Sequence, residues 1–160
     1  MIVLGSDHGG LVLKEAVKDL LKERGILFED CGTDNADSVD YPDFGVKVAR
    51  KVSTGAVEKG VLFCGTGIGM SIVANKFPHV RAALVTDAFM ARMAKEHNNA
   101  NILVLGGRVL DEAKAKKMVA VWLDATFEGG RHQGRLDKIE VLERVVQKDE
   151  GDLDVDSGNS

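Results

Sequence analysis

Aromatic residues are scarce in this chain: Phe, Trp and Tyr make up 5% of its 160 positions, with a single Trp and a single Tyr. Few rings are therefore available for bases to stack on. The formal net charge is −4, so no basic field is present to attract a polyanion, and nucleic acid is not an expected partner. Apolar runs fall well short of the ~20 residues that a membrane-crossing helix needs, so no membrane association is expected. The first residues, MIVLGSD, lack the basic flank and the length of a secretory signal. Cysteine occurs twice, at Cys31 and Cys64. Without a signal for export, free thiols in a cytoplasmic protein are the expectation rather than a disulfide. The cysteines and histidines show neither C-x-x-C nor H-x-x-x-H spacing, so no metal site is expected.

Familiar catalytic fingerprints are missing too. No G-x-S-x-G elbow marks a serine hydrolase. Neither G-x-G-x-x-G nor a Gly-Lys-Ser/Thr phosphate loop occurs. A dinucleotide reading would have to rest on Asp30, which is close to the end of a second strand but not in the expected frame.

What remains is an ordinary globular composition, 44% hydrophobic and 29% charged, in a length that suits one domain with a real core. β-rich runs at 2–6, 26–31, 60–64, 81–86 and 101–105 alternate with stretches of helical periodicity. Leu13, Ala16, Val17, Leu20 and Leu21 form the stripe of a first helix that Gly25 should stop. Pro42 sits where a second helix would begin. Further helices are expected over 70–76 and 88–97, around Met118 to Leu123, and around Leu136 to Val145. This alternation predicts an α/β protein, a Rossmann-like αβα sandwich with a five-stranded, mainly parallel sheet. In such sheets ligands bind beyond the carboxyl ends of the strands, where strand order reverses. The loops after the first and third strands should then face each other if those strands are neighbours. Residues 1–147 are expected to form the domain. The remaining 148–160, KDEGDLDVDSGNS, are acidic and aperiodic and read as a disordered tail.

The third loop is the most informative. Cys64-Gly65-Thr66-Gly67-Ile68-Gly69 joins the strand Val61-Leu62-Phe63 to a helix. Such a turn gathers backbone N–H groups at a helix N-terminus, which suits an oxyanion or a phosphate. A cysteine at its mouth is a candidate base or nucleophile. The same turn closes many doubly wound folds without chemistry, and cysteine is a common buried residue. Asp7 and His8 end the first strand, where the pair can do acid/base work or where Asp7 simply caps the next helix and His8 is solvated. His97 closes the fourth helix, where it can act in proton transfer or merely complement the helix dipole. Arg131 and Arg135 are four apart and share a helix face, so both guanidiniums can reach one phosphate. They can equally form a solvated basic face. Gly129-Gly130 ahead of them suggests a tight entry. Arg108, after Gly106-Gly107, is a further cation at a strand end.

Several segments occur together in a telling order: GSDHGG at 5–10, DYPD at 40–43, CGTGIGMS at 64–71, ANK at 74–76, EHNNAN at 96–101 and EGGRH at 128–132. Over roughly residues 1–145 the chain resembles type B ribose-5-phosphate isomerases, in the family that also holds the galactose-6-phosphate isomerase subunits. The resemblance implies a homodimer, possible pairing into a tetramer, no cofactor, and an active site shared between subunits. It implies interconversion of ribose 5-phosphate and ribulose 5-phosphate, with Cys64 as the proton-transferring base and His97 opening the sugar ring, assisted by Asp7. Thr66 would bond the thiolate, the N–H groups of Gly65, Thr66, Gly67, Ile68 and Gly69 would line an oxyanion hole, and Asn98 would orient hydroxyls. His8, Arg108, Arg131 and Arg135 would hold the phosphate. Met70 follows Gly69 where another branch of the family carries a catalytic glutamate, so the chain matches the cysteine branch. A six-carbon sugar phosphate as substrate, or a non-catalytic sugar-phosphate sensor, are the competing readings.

Overall fold

The computed structural model describes the backbone of residues 1–153 and the side chains of residues 1–148. It divides into two units, Met1–Phe127 and the segment from Glu128 onward.

The first unit alternates strand and helix: β1 (Ile2–Ser6), α1 (Leu11–Glu23), β2 (Phe28–Asp30), α2 (Tyr41–Ser53), β3 (Lys59–Cys64), α3 (Ile68–Ala74), β4 (Ala82–Leu84), α4 (Ala88–Glu96), β5 (Ile102–Gly106) and α5 (Glu112–Asp124). The strands form one sheet in the order β2-β1-β3-β5-β4. All four strand pairs are parallel, so "mainly parallel" becomes wholly parallel among the described residues.

Strand side chains alternate between two cores, as the period of two requires. Leu4, Val61, Phe63, Leu103 and Leu105 pack with residues of α1, α4 and α5 on one face. Val3, Leu62, Cys64, Ile102 and Val104 pack with α2 and α3 on the other. Right-handed crossovers dictate this division. The chain steps from β1 to β2 in one direction, then from β2 to β3 and on to β4 in the opposite direction, so the covering helices change face. Strand order therefore reverses at the β1/β3 pair, and a crevice opens there at the C-terminal edge of the sheet.

The helices end as their sequences direct. α1 buries Leu13, Ala16, Val17 and Leu21, one stripe of a 3.6-residue period. Gly25 then takes φ +63°, and its N–H bonds Lys22 O. Pro42 lies in the first turn of α2. The edge strands β2 and β4 are three residues each, shorter than the runs 26–31 and 81–86 suggested, although bonds to the sheet continue beyond them, with Cys31 N donating to Leu4 O at 2.8 Å and Val85 N to Val104 O at 3.2 Å. A 3-10 turn, His8–Gly10, occupies what the sequence suggested was plain loop.

In the second unit Gly129 and Gly130 take φ +65° and +54° and lead into α6 (Arg131–Leu153). This helix carries on past residue 148, where a disordered tail was expected to begin. Residues 154–160, the rest of that tail, lie outside the described residues. No described helix is long and apolar enough to cross a membrane.

Candidate active site

Three loops meet at the C-terminal edge of β1, β3 and β5, and glycines permit the approach. A Cβ on Gly10 would lie 2.5 Å from the Phe63 backbone, and one on Gly106 would lie 2.7 Å from the Thr66 carbonyl oxygen. Gly107 N donates to Cys64 O at 2.7 Å, and Arg108 N donates to Gly65 O at 2.8 Å. The loops after β1 and β3 thus lie side by side, as strand adjacency required.

Cys64 ends β3 and is 4% exposed. Its Sγ accepts the Gly67 N–H at 3.2 Å. That bond fixes the sulfur at the mouth of the glycine turn. Gly67 reaches that position with φ +81°, which L side chains rarely adopt. The exposed Thr66 Oγ1 accepts the Ile68 N–H at 3.3 Å, one of the orphan donors at the start of α3, and its own hydroxyl proton stays available to a neighbour such as the sulfur. The run of N–H groups is thereby divided: Gly67 serves the sulfur, Ile68 serves Thr66, and Gly69 remains a first-turn donor. The Tyr41 ring lies against Gly69, where a Cβ would come within 2.5 Å of Cζ.

Asp7 is buried, and its Oδ1 accepts the Gly10 N–H at 3.0 Å, so it caps the 3-10 turn. His8 is half-buried rather than freely solvated, and its Nδ1 accepts the Val39 N–H at 3.2 Å. An accepting Nδ1 leaves Nε2 to carry the proton of a neutral ring. The Arg108 side chain covers Gly65, with Nη1 3.4 Å from where a Gly65 Cβ would stand. Asp7, His8, residues 64–69 and Arg108 therefore share one edge of the sheet.

His97 and Asn98 do not. Helix α4 runs back across the sheet, and His97 is its C-cap, ahead of β5. Cys64 is in register with Gly106, the last residue of β5. At 3.3 Å per residue, β5 alone sets the two edges roughly 13 Å apart. Arg131 and Arg135 are exposed on the first turns of α6 in the second unit.

Behind the His8 loop lies a network that sequence reasoning did not single out. Lys14 is 1% exposed, and its Nζ bonds Asp30 Oδ1 at 3.0 Å and Thr33 O at 2.5 Å. Burial works against the Asp30 carboxylate, but the hydrogen bonds from Lys14 and Lys18 outweigh it and hold the carboxyl below its usual range. The network ties the end of β2, and the loop that brings Val39 to His8, onto α1. A lysine inside an apolar stripe was the available signal, since a buried lysine demands a partner.

The edge-of-sheet crevice, the glycine turn and the wholly parallel sheet define a doubly wound α/β protein with a ligand site at its switch point. The Ribose/Galactose Isomerase family profile matches residues 2–139, and the chain belongs to that family. Its fold is similar to that of Clostridium thermocellum ribose-5-phosphate isomerase B, with TM-score 0.88 and 52% identity, over 91% of this chain and 98% of that one. Ribose-5-phosphate isomerase B of Escherichia coli is 42% identical over 143 residues, 89% of this chain and 96% of its own length. A D-erythrulose-4-phosphate isomerase of Pectobacterium atrosepticum is 39% identical over 139 residues, 86% of this chain and 91% of its own.

Proposed function

We propose that the protein interconverts D-ribose 5-phosphate and D-ribulose 5-phosphate, with Cys64 as the base. The observation that carries this reading is the Cys64 sulfur at the crevice, bonded by the Gly67 N–H and flanked by Asp7, His8 and Arg108. In this reading the thiolate takes the proton from C2 of the open-chain aldose. The C–H electron pair becomes the C1–C2 double bond of an enediolate, and charge collects on O1. In this reading the Gly69 N–H stabilises that charge. Cys64 returns the proton to C1, and a proton passes from O2 to O1.

His97 opens the furanose ring, and Asn98 orients hydroxyls. Within one chain the two lie at the far edge of the sheet, so they serve the Cys64 of a partner subunit in a homodimer. His8, Arg108, Arg131 and Arg135 grip the phosphate, whose binding energy positions the reacting carbons. The named activities of the relatives span four- and five-carbon substrates, so carbon number is what the assay decides.

The experiment is a coupled assay of ribose 5-phosphate, allose 6-phosphate and erythrose 4-phosphate with the wild type and Cys64→Ala. The expected outcome is preferred turnover of ribose 5-phosphate, reduced by about 10²–10⁴-fold in the variant. Preference for another sugar moves the substrate and keeps the chemistry. Near wild-type turnover in Cys64→Ala removes the base.

A further inference from the structure

Two residues other than glycine take left-handed backbone among the described residues, His79 at φ +63° and Asn99 at φ +44°. They lie at the same place, the N-terminal edge of the sheet beside His97. Asn101 joins them: its Nδ2 donates to His79 O at 2.8 Å, and its Oδ1 accepts the Arg81 N–H at 2.8 Å. Asn99 is held at three points. Its N–H bonds Lys95 O at 3.1 Å, its Oδ1 accepts from Lys95 Nζ at 2.6 Å, and its carbonyl accepts from Arg81 Nε at 3.1 Å.

The chain has another arrangement at hand. Left-handed backbone is uncommon for residues with a Cβ, and Asn and His are among those that adopt it most often. The turns after α1 and α2 use Gly25 and Gly55, at φ +63° and +73°. The ammonium of Lys95 is also crowded. Burial first, then the charges of Lys59 and Arg81, draw it below its ordinary range, with Glu58 opposing. Reversing the chain requires none of this. Strained backbone held by several side chains is a mark of a site whose geometry matters. The residues enclosed between Lys95 and Asn99 are Glu96, His97 and Asn98.

We infer that Lys95, Asn99 and Arg81 form a clasp that positions His97 and Asn98 for ring opening at the active site. None of the three need touch the substrate; they act through the turn they lock. The inference rests on the reading of His97 given above. A loosened turn would misplace the imidazole, and errors of about 1 Å in such groups cost on the order of 10²-fold.

Two rates separate positioning from a general loss of folded protein. Turnover of ribose 5-phosphate requires ring opening. Exchange of the C1 proton of ribulose 5-phosphate with D₂O, followed by NMR, starts from an open chain and requires the base alone. Lys95→Met and Asn99→Gly should raise the ratio of exchange to turnover about tenfold or more, and Lys95→Arg should restore it. Asn99→Gly tolerates left-handed backbone, so it carries the test even if Lys95→Met fails to fold. An unchanged ratio in Asn99→Gly overturns the clasp. His97→Asn is the reference. If it lowers both rates equally, the ring-opening reading fails. If it raises the ratio while the clasp variants do not, the clasp alone fails.

Discussion

At Cys64 the chemistry depends on one backbone donor, the Gly67 N–H, in a turn that Gly67 completes with φ +81° to lead into α3. Gly67→Ala tests that dependence. The added Cβ would lie 2.5 Å from Leu84 Cδ1, the end of a flexible side chain, so the strain is chiefly in the backbone. Left-handed strain of about 1–2 kcal/mol is expected, which lowers the melting temperature by several degrees for a chain of this size. Turnover should fall further than stability does, because the sulfur loses its donor. Gly55→Ala is the comparison: it has φ +73° with no neighbour within 4 Å. It should show similar strain without a matching loss at Cys64. Melting curves beside steady-state rates for the two variants decide the matter, and equal kinetic losses in both would remove the special role of the Gly67 N–H.

At the scale of elements, α1 carries a buried charge. Lys14 lies on its buried stripe, and Asp30 and Thr33 satisfy the ammonium from the end of β2. Asp30→Asn leaves that ammonium short of a counter-charge and should cost about 1–3 kcal/mol. The sign of the pH effect follows from the direction of the shift. The Asp30 carboxyl is held below its unfolded value of about 3.9. Its contribution to stability is therefore present above that value and is lost as pH falls through and below about 4. Urea midpoints measured from pH 7 down to 3 should drop more steeply for the wild type than for Asp30→Asn. Parallel curves would mean that the pair contributes nothing. The same elements show what the sequence made legible. The strand β1 and the helices α1 and α2 were readable because Leu13, Val17 and Leu21 keep a period, and because Gly25 and Pro42 mark the ends. The edge strands β2 and β4 are shorter than their β-rich runs, although Leu27, Cys31, Arg81 and Val85 still bond the neighbouring strand. At the site, Cys64, its glycine turn and the Asp7-His8 loop could be located from strand-end position. The Val39 support of His8 and the Asn99 bonds to Lys95 and Arg81 could not, because each is set by side-chain and backbone directions that no spacing encodes.

For the whole molecule, the parallel sheet imposes a separation that one chain cannot remove. Every strand ends at the Cys64 edge, and α4 must return to the other edge before β5 can begin, so His97 is carried away from Cys64. A base and a ring-opening acid that serve one sugar must each lie within hydrogen-bonding reach of it, whereas roughly 13 Å of β5 stands between their edges. The proposed homodimer would resolve this if the two edges meet twice around its two-fold axis. Complementation tests that geometry directly. Cys64→Ala and His97→Asn subunits are each expected to have little activity on ribose 5-phosphate. In a dimer of one of each, one site carries both substitutions and the other carries neither. Unfolding and refolding an equal mixture should make half the dimers mixed, with one of two sites intact, so activity should recover to about a quarter of the wild-type value. Size-exclusion chromatography of the refolded mixture confirms that pairs have formed. If pairs form and activity stays at the level of the separate variants, Cys64 and His97 serve the same chain, and the assignment of His97 to the partner's sugar is wrong.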